Sequence, residues 1–140
     1  MQQNFDITTL DALDAAVAAI RQHTEIKVYY LEGALGAGKT AFVRSWLRQA
    51  SYQGAVQSPT YALMHEYYIG QHTVIHADLY RLTAPDELLY LDVRDWATRA
   101  GHIFIEWAQN GGNLLPPADA ICQFSLHKDC RTLSLLPCIR

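Results

Sequence analysis

The run Gly33-Ala34-Leu35-Gly36-Ala37-Gly38-Lys39-Thr40 has the spacing G-x-x-x-x-G-K-[ST], a pattern suited to gathering a polyphosphate. Glycines let the backbone curl until successive N–H groups face one anion, and their missing side chains let a phosphate come close. A helix beginning near Gly38 would add its positive end to the cradle. Lys39 would reach the β- and γ-phosphates, and the Thr40 hydroxyl would ligate Mg²⁺. The expected nucleotide-binding set is therefore Gly33, Leu35, Gly36, Ala37, Gly38, Lys39, Thr40 and Ala41. With glycine near 7% of residues, a chance match in such a chain is on the order of one in a hundred. The plain alternative is a glycine turn that binds nothing.

Phosphate chemistry also needs an acid on the metal side, at the end of a neighbouring strand. Glu106 closes the apolar stretch Ile103-Phe104-Ile105, which is that context. Asp78 closes Val74-Ile75-His76-Ala77 and would orient or deprotonate an attacking water. Either carboxylate alone reads equally as the cap of a turn. Ser58-Pro59-Thr60 follows the loop's helix, where a hydroxyl can sense the last phosphate, although Ser-Pro-Thr is by itself only a turn. The six histidines have no ligand spacing, and His76, two residues before Asp78, reads as packing.

The elements that must position these groups follow from periodicity. Leu10, Leu13, Val17 and Ile20 have helical spacing, with Thr8 or Thr9 available as N-cap. Residues 26–32 are rich in β-branched and aromatic side chains and run as a strand into the glycine loop. Phe42, Val43, Trp46 and Leu47 give a second helix from Gly38 that fades at Ser51. Strands are expected over 61–69 and 73–77, around the Gly70-Gln71 turn. Helical pieces are expected from Pro85 and over about 93–100, then a strand over 102–106. A closing hairpin over 121–126 and 132–136 completes the chain. Strands alternating with helices predict an α/β domain spanning 1–140, with a mixed, mainly parallel sheet.

Composition bounds the rest. The chain has 140 residues, 50% of them hydrophobic and 18% charged, the balance of one folded domain with its own core. No apolar run approaches the ~18 residues of a membrane span, and the first residues lack the pattern of a secretory signal. A net charge of −3 argues against a domain that grips nucleic acid unaided. Cys122, Cys130 and Cys138 have no metal spacing and read as thiols of a reducing compartment, so a cytoplasmic chain is expected. Lys27, Lys39 and Lys128 are the only lysines, and none follows an asparagine. The Asn-Lys-x-Asp guanine reader is therefore missing and ATP is the default nucleotide. A small-molecule kinase and a nucleotide-driven switch both remain open on these residues.

Four strings in register carry a resemblance that separates them: Leu35-Gly36-Ala37-Gly38-Lys39-Thr40, Ser58-Pro59-Thr60-Tyr61, Asp78-Leu79-Tyr80-Arg81-Leu82 and Glu106-Trp107. Together they resemble the TsaE (YjeE-type) family, small bacterial P-loop ATPases, over roughly residues 31–115. The resemblance implies a P-loop NTPase-like three-layer sandwich. It also implies a role in making threonylcarbamoyladenosine just 3′ of the tRNA anticodon, alongside the partners TsaD and TsaB, which would handle most of the tRNA contact. ATP and Mg²⁺ are the implied cofactors, and ATP turnover would reset the partner complex. By matching motif, Lys39 would hold phosphates, Thr40 and Glu106 the metal, and Asp78 would assist hydrolysis. Thr60 would sit in a switch-like loop and Trp107 beside the nucleotide. Ala34 departs from the family's usual loop aspartate, Ala77 from a phenylalanine and Ala108 from a proline. The alternatives are a P-loop small-molecule kinase, or a nucleotide-binding scaffold without efficient hydrolysis.

Overall fold

The computed structural model describes residues 2–34, 36–57 and 62–138. The strands are β1 (Gln3–Asp6), β2 (Val28–Glu32), β3 (Met64–Ile69), β4 (His72–Asp78), β5 (His102–Glu106), β6 (Ala120–His127) and β7 (Cys130–Pro137). The α-helices are α1 (Leu10–Ile20), α2 (Lys39–Gln49) and the single turn α3 (Trp96–Arg99). Among the described residues, these seven strands form one sheet in the order β1-β7-β6-β2-β5-β4-β3. Its centre is parallel, β6 to β2 to β5 to β4, and its flanking pairs β3·β4, β6·β7 and β1·β7 are antiparallel.

Each sheet face buries a separate apolar cluster, which gives three layers. On one face α1 and α2 contribute Leu13, Val17, Ile20, Phe42, Val43, Trp46 and Leu47 against Tyr29, Leu31, Phe104 and Phe124. Tyr29 stacks on Phe104 at 5.2 Å between centroids, and Phe42 meets Phe104 edge-on at 5.9 Å. Such offset and edge-on ring pairs suit the aromatic quadrupole. On the other face Leu88, Val93 and Trp96 cover Val28, Ile75, Ala77, Ile103 and Ile105. Side chains alternate across a strand. His76 and Asp78 therefore share one face of β4, and Phe104 and Glu106 the matching face of β5, below α2.

The expected helical order after Pro85 is corrected to 3₁₀ turns over Pro85–Leu91 and Val93–Asp95, with only Trp96–Arg99 α-helical. Two physical causes are visible. The Glu87 carboxylate accepts from Thr83 N, Thr83 Oγ1 and Ala84 N, which tightens the entry. Leu88 and Leu91, three apart, then both reach the same apolar cluster, as a three-residue turn allows. Asp92 at φ 55° ends that segment. Strand β1 was not expected. It has only Phe5 as a large apolar residue, and it exists because β7 offers an antiparallel edge. The strand predicted from Tyr61 begins instead at Met64, after Leu63 at φ 63°, and Tyr61 itself lies outside the described residues. Thr9, not Thr8, caps α1: its Oγ1 accepts from Ala12 N at 3.1 Å.

Candidate functional site

The site sits at the carboxyl ends of β2, β4 and β5, the usual place for ligands in an open α/β sheet. Gly33 leaves β2 at φ 148°, and a Cβ there would lie 2.5 Å from the Phe124 carbonyl oxygen, so only glycine lets the loop pass β6. Gly38 enters α2 in the left-handed region at φ 116° and supplies no side-chain cap. The first turn of α2 also carries no acid. The leading amides of a helix have no intrahelical acceptor, so this end could donate to an anion. Within the loop, Ala37 N is already used by Ala34 O at 3.2 Å.

Parallel pairing sets Asp78 beside Glu106, and β5 runs directly alongside β2. One cavity of about 360 Å³ is lined by Gly36, Gly38, Lys39, Thr40, Ala41, Asp78 and Glu106 on the glycine-loop side. Its other wall is Ile7, Thr8, Thr9, Leu10, Leu13 and Arg131. Lys39, Asp78 and Glu106 are each only 4–5% exposed. Lys39 Nζ donates to Gly33 O at 2.6 Å, lies 3.7 Å from Glu106 Oε1, and sits 5.2 Å from the centroid of the Trp107 ring. Asp78 Oδ1 accepts from Tyr80 N at 3.0 Å. The arrangement brings one buried cation, a hydroxyl, two carboxylates and a helix N-terminus to a single cavity. That is chemistry for holding a polyanion with a hard divalent cation and for activating water.

Comparison with known proteins settles the family. The family model described as threonylcarbamoyl adenosine biosynthesis protein TsaE matches residues 7–133. The chain belongs to the TsaE family. It is 40% identical over 118 residues to the tRNA threonylcarbamoyladenosine biosynthesis protein TsaE of Haemophilus influenzae, covering 84% of this chain and 75% of that protein. The TsaE protein of Rickettsia felis is 36% identical over 91 residues, 64% of this chain and 53% of the relative. The crystal structure of Bacillus subtilis YdiB superposes with a TM-score of 0.72 at 22% identity, covering 98% of this chain and 86% of that one. That likeness bears on the fold. Among the described residues, no helix is long and apolar enough to cross a membrane.

The residues singled out in the sequence are not all in one place. Gly36, Gly38, Lys39, Thr40, Ala41, Asp78 and Glu106 surround the first cavity. Gly33 and Trp107 line a second one of about 450 Å³ on the other flank of Lys39, together with Ala34 and Gln109. Trp107 stands at φ 58°, uncommon for a bulky residue, with its ring 4.9 Å from Tyr80 and its buried Nε1 without a partner among the described residues. Ala37 lines neither cavity; its side chain is packed in the core. Leu35, Ser58, Pro59 and Thr60 lie outside the described residues.

Three contributions were missed by sequence reasoning. His76, expected to be packing, is fully buried, with Nε2 2.6 Å from Glu106 Oε2. Its place two residues before Asp78, on the same strand face, was the available signal. Arg131 Nε donates to Gly36 O at 3.1 Å, while its main chain bonds Ile7 N and the Thr8 hydroxyl. It thereby ties the amino-terminal wall to the loop across 95 residues of sequence. Leu10 and Leu13 carry helical periodicity that announces α1, but nothing in that pattern says α1 walls a site.

Proposed function

We propose that this TsaE-family chain is the ATP-binding and ATP-hydrolysing subunit of tRNA threonylcarbamoyladenosine synthesis, acting in the cytoplasm on a TsaD–TsaB complex that makes most of the tRNA contact. The observation that carries the reading is the convergence of Lys39, Thr40, Asp78 and Glu106 on one cavity at the mouth of α2. The loop and helix amides receive the phosphate oxygens, and Lys39 exchanges its Gly33 carbonyl for them. The Thr40 hydroxyl and the Glu106 carboxylate are hard oxygen donors in the same cavity, which fits Mg²⁺. The ion, when bound, supplies charge neutralisation to the phosphate oxygens. Asp78, held by Tyr80 N through Oδ1, orients an attacking water and accepts its proton. Ile7, Leu10 and Leu13 offer the apolar wall for the nucleoside, and Trp107 covers Lys39 from the opposite flank.

Reconstitution tests this reading. Purified TsaD, TsaB, ATP, tRNA and the threonylcarbamoyl donor should give multiple-turnover modification only when this chain is added. Undiminished multiple turnover without it would refute the assignment.

A further inference from the structure

The site holds one buried group with no task so far. His76 is fully enclosed beneath α2, its Nε2 is 2.6 Å from Glu106 Oε2, and its Nδ1 has no hydrogen-bond partner among the described residues. A carboxylate only accepts, so the imidazole Nε2–H is the donor. Burying an imidazole with one nitrogen unpartnered is unfavourable, and an apolar side chain would avoid that cost. Packing therefore does not account for a histidine at this position.

We infer that His76 is a positioning residue that fixes the rotation of the Glu106 carboxylate, resting on the reading of Glu106 as the metal-side acid. The terminal torsion of a glutamate is broad and two-fold, so its oxygens take fixed places only when a partner holds one of them. Lys39 does not do so: at 3.7 Å from Oε1 it attracts the charge without the direction of a hydrogen bond. His76 holds Oε2, which leaves Oε1 as the oxygen on the Lys39 side of a carboxylate that lines the cavity. The oxygen offered to the cation is thus chosen by a residue on β4, while its carboxylate belongs to β5. Hydrogen-bond partners of metal ligands commonly act in this way.

The test compares wild type, His76→Leu and His76→Gln. Mg²⁺ is titrated into ATP-loaded protein by calorimetry, and ATP affinity is measured in EDTA on the same samples. His76→Leu should raise the half-saturating Mg²⁺ concentration about 10–100-fold while leaving ATP affinity in EDTA unchanged. His76→Gln, which keeps a donor near Oε2, should recover most of the loss. A His76→Leu protein that titrates Mg²⁺ like wild type overturns the inference, as does a proportional loss of ATP affinity in EDTA. If wild type itself binds ATP without sensitivity to Mg²⁺, the metal role of Glu106 fails, and this inference with it. If the variants do not fold, native protein labelled with ¹⁵N-histidine decides. The hydrogen-bonded Nε2–H resonance of His76 must persist when Mg²⁺ and ATP are added together, and its disappearance overturns the inference.

Discussion

Replacing Lys39 by methionine keeps most of the buried stem and removes the ammonium. That charge lies 3.7 Å from Glu106, with both side chains 5% exposed. At an effective dielectric of about 20, the attraction is about 4.5 kcal/mol before desolvation. Removing one partner of such a buried pair costs about 3–5 kcal/mol, because the other charge stays enclosed. For a chain of this size about 3 °C of melting temperature goes with each kcal/mol, so the unliganded variant should melt about 10–15 °C lower. Nucleotide binding is read against that lowered baseline. At a hundredfold excess over the wild-type Kd, Mg-ATP stabilises by about 2.7 kcal/mol, a shift of about 8 °C. Two lost charge-assisted bonds, about 1.5–3 kcal/mol each, weaken binding by about 10²–10⁴-fold. The shift at the same ATP concentration should then fall to about 1 °C or less. Differential scanning fluorimetry of both proteins with and without Mg-ATP measures all four values. An ATP shift in Lys39→Met equal to that of wild type would refute the site. An unchanged unliganded melting temperature would refute the energetic role of the buried pair.

The other predictions address neighbouring groups. Glu106→Gln should bind ATP in EDTA like wild type but lose the Mg²⁺-dependent gain. Asp78→Ala should retain Mg-ATP binding and turn over more slowly with the partner proteins present, and an unaltered rate would remove Asp78 from the mechanism. Trp107 fluorescence should change on ATP binding because its ring rests on Lys39. The same change in Trp107→Phe, reported by Trp46 and Trp96, would contradict that origin. Burial, helped by the neighbouring His72, pulls His102 down to about 4. Above pH 6.5 the ring is neutral whether the chain is folded or not. Between pH 6.5 and about 4 the unfolded chain takes up a proton that the folded chain refuses, so stability falls with pH. The full shift corresponds to about 3.4 kcal/mol, reduced to about 1–2 because the ring is only partly buried. Urea unfolding at pH 7 and pH 4 should show a smaller loss in His102→Leu than in wild type, and equal losses would discard the effect.

The amino-acid order alone determined the parts of this protein whose physics is local. A loop of glycines before a helix pattern, with Lys39 and Thr40 at its mouth, is legible as a strand–loop–helix passage from residue types and spacing alone. Likewise, the apolar stretch closed by Glu106 is legible as a strand-end acid without knowing its neighbours. The sheet order was not legible in this way. That β5 lies between β2 and β4, bringing Glu106 to Lys39 and Asp78, depends on pairings between segments dozens of residues apart. Local preference does not encode such pairings. The same holds for β1, which is polar and becomes a strand only at the edge of β7. The 3₁₀ turns after Pro85 likewise follow from the apolar cluster that Leu88 and Leu91 reach on one face of the sheet, not from their spacing alone. His76 and Arg131 are the clearest cases. Neither has a partner that its sequence neighbourhood names, and each acquires one in the site only when the chain brings β4 beside β5 and β7 beside the loop.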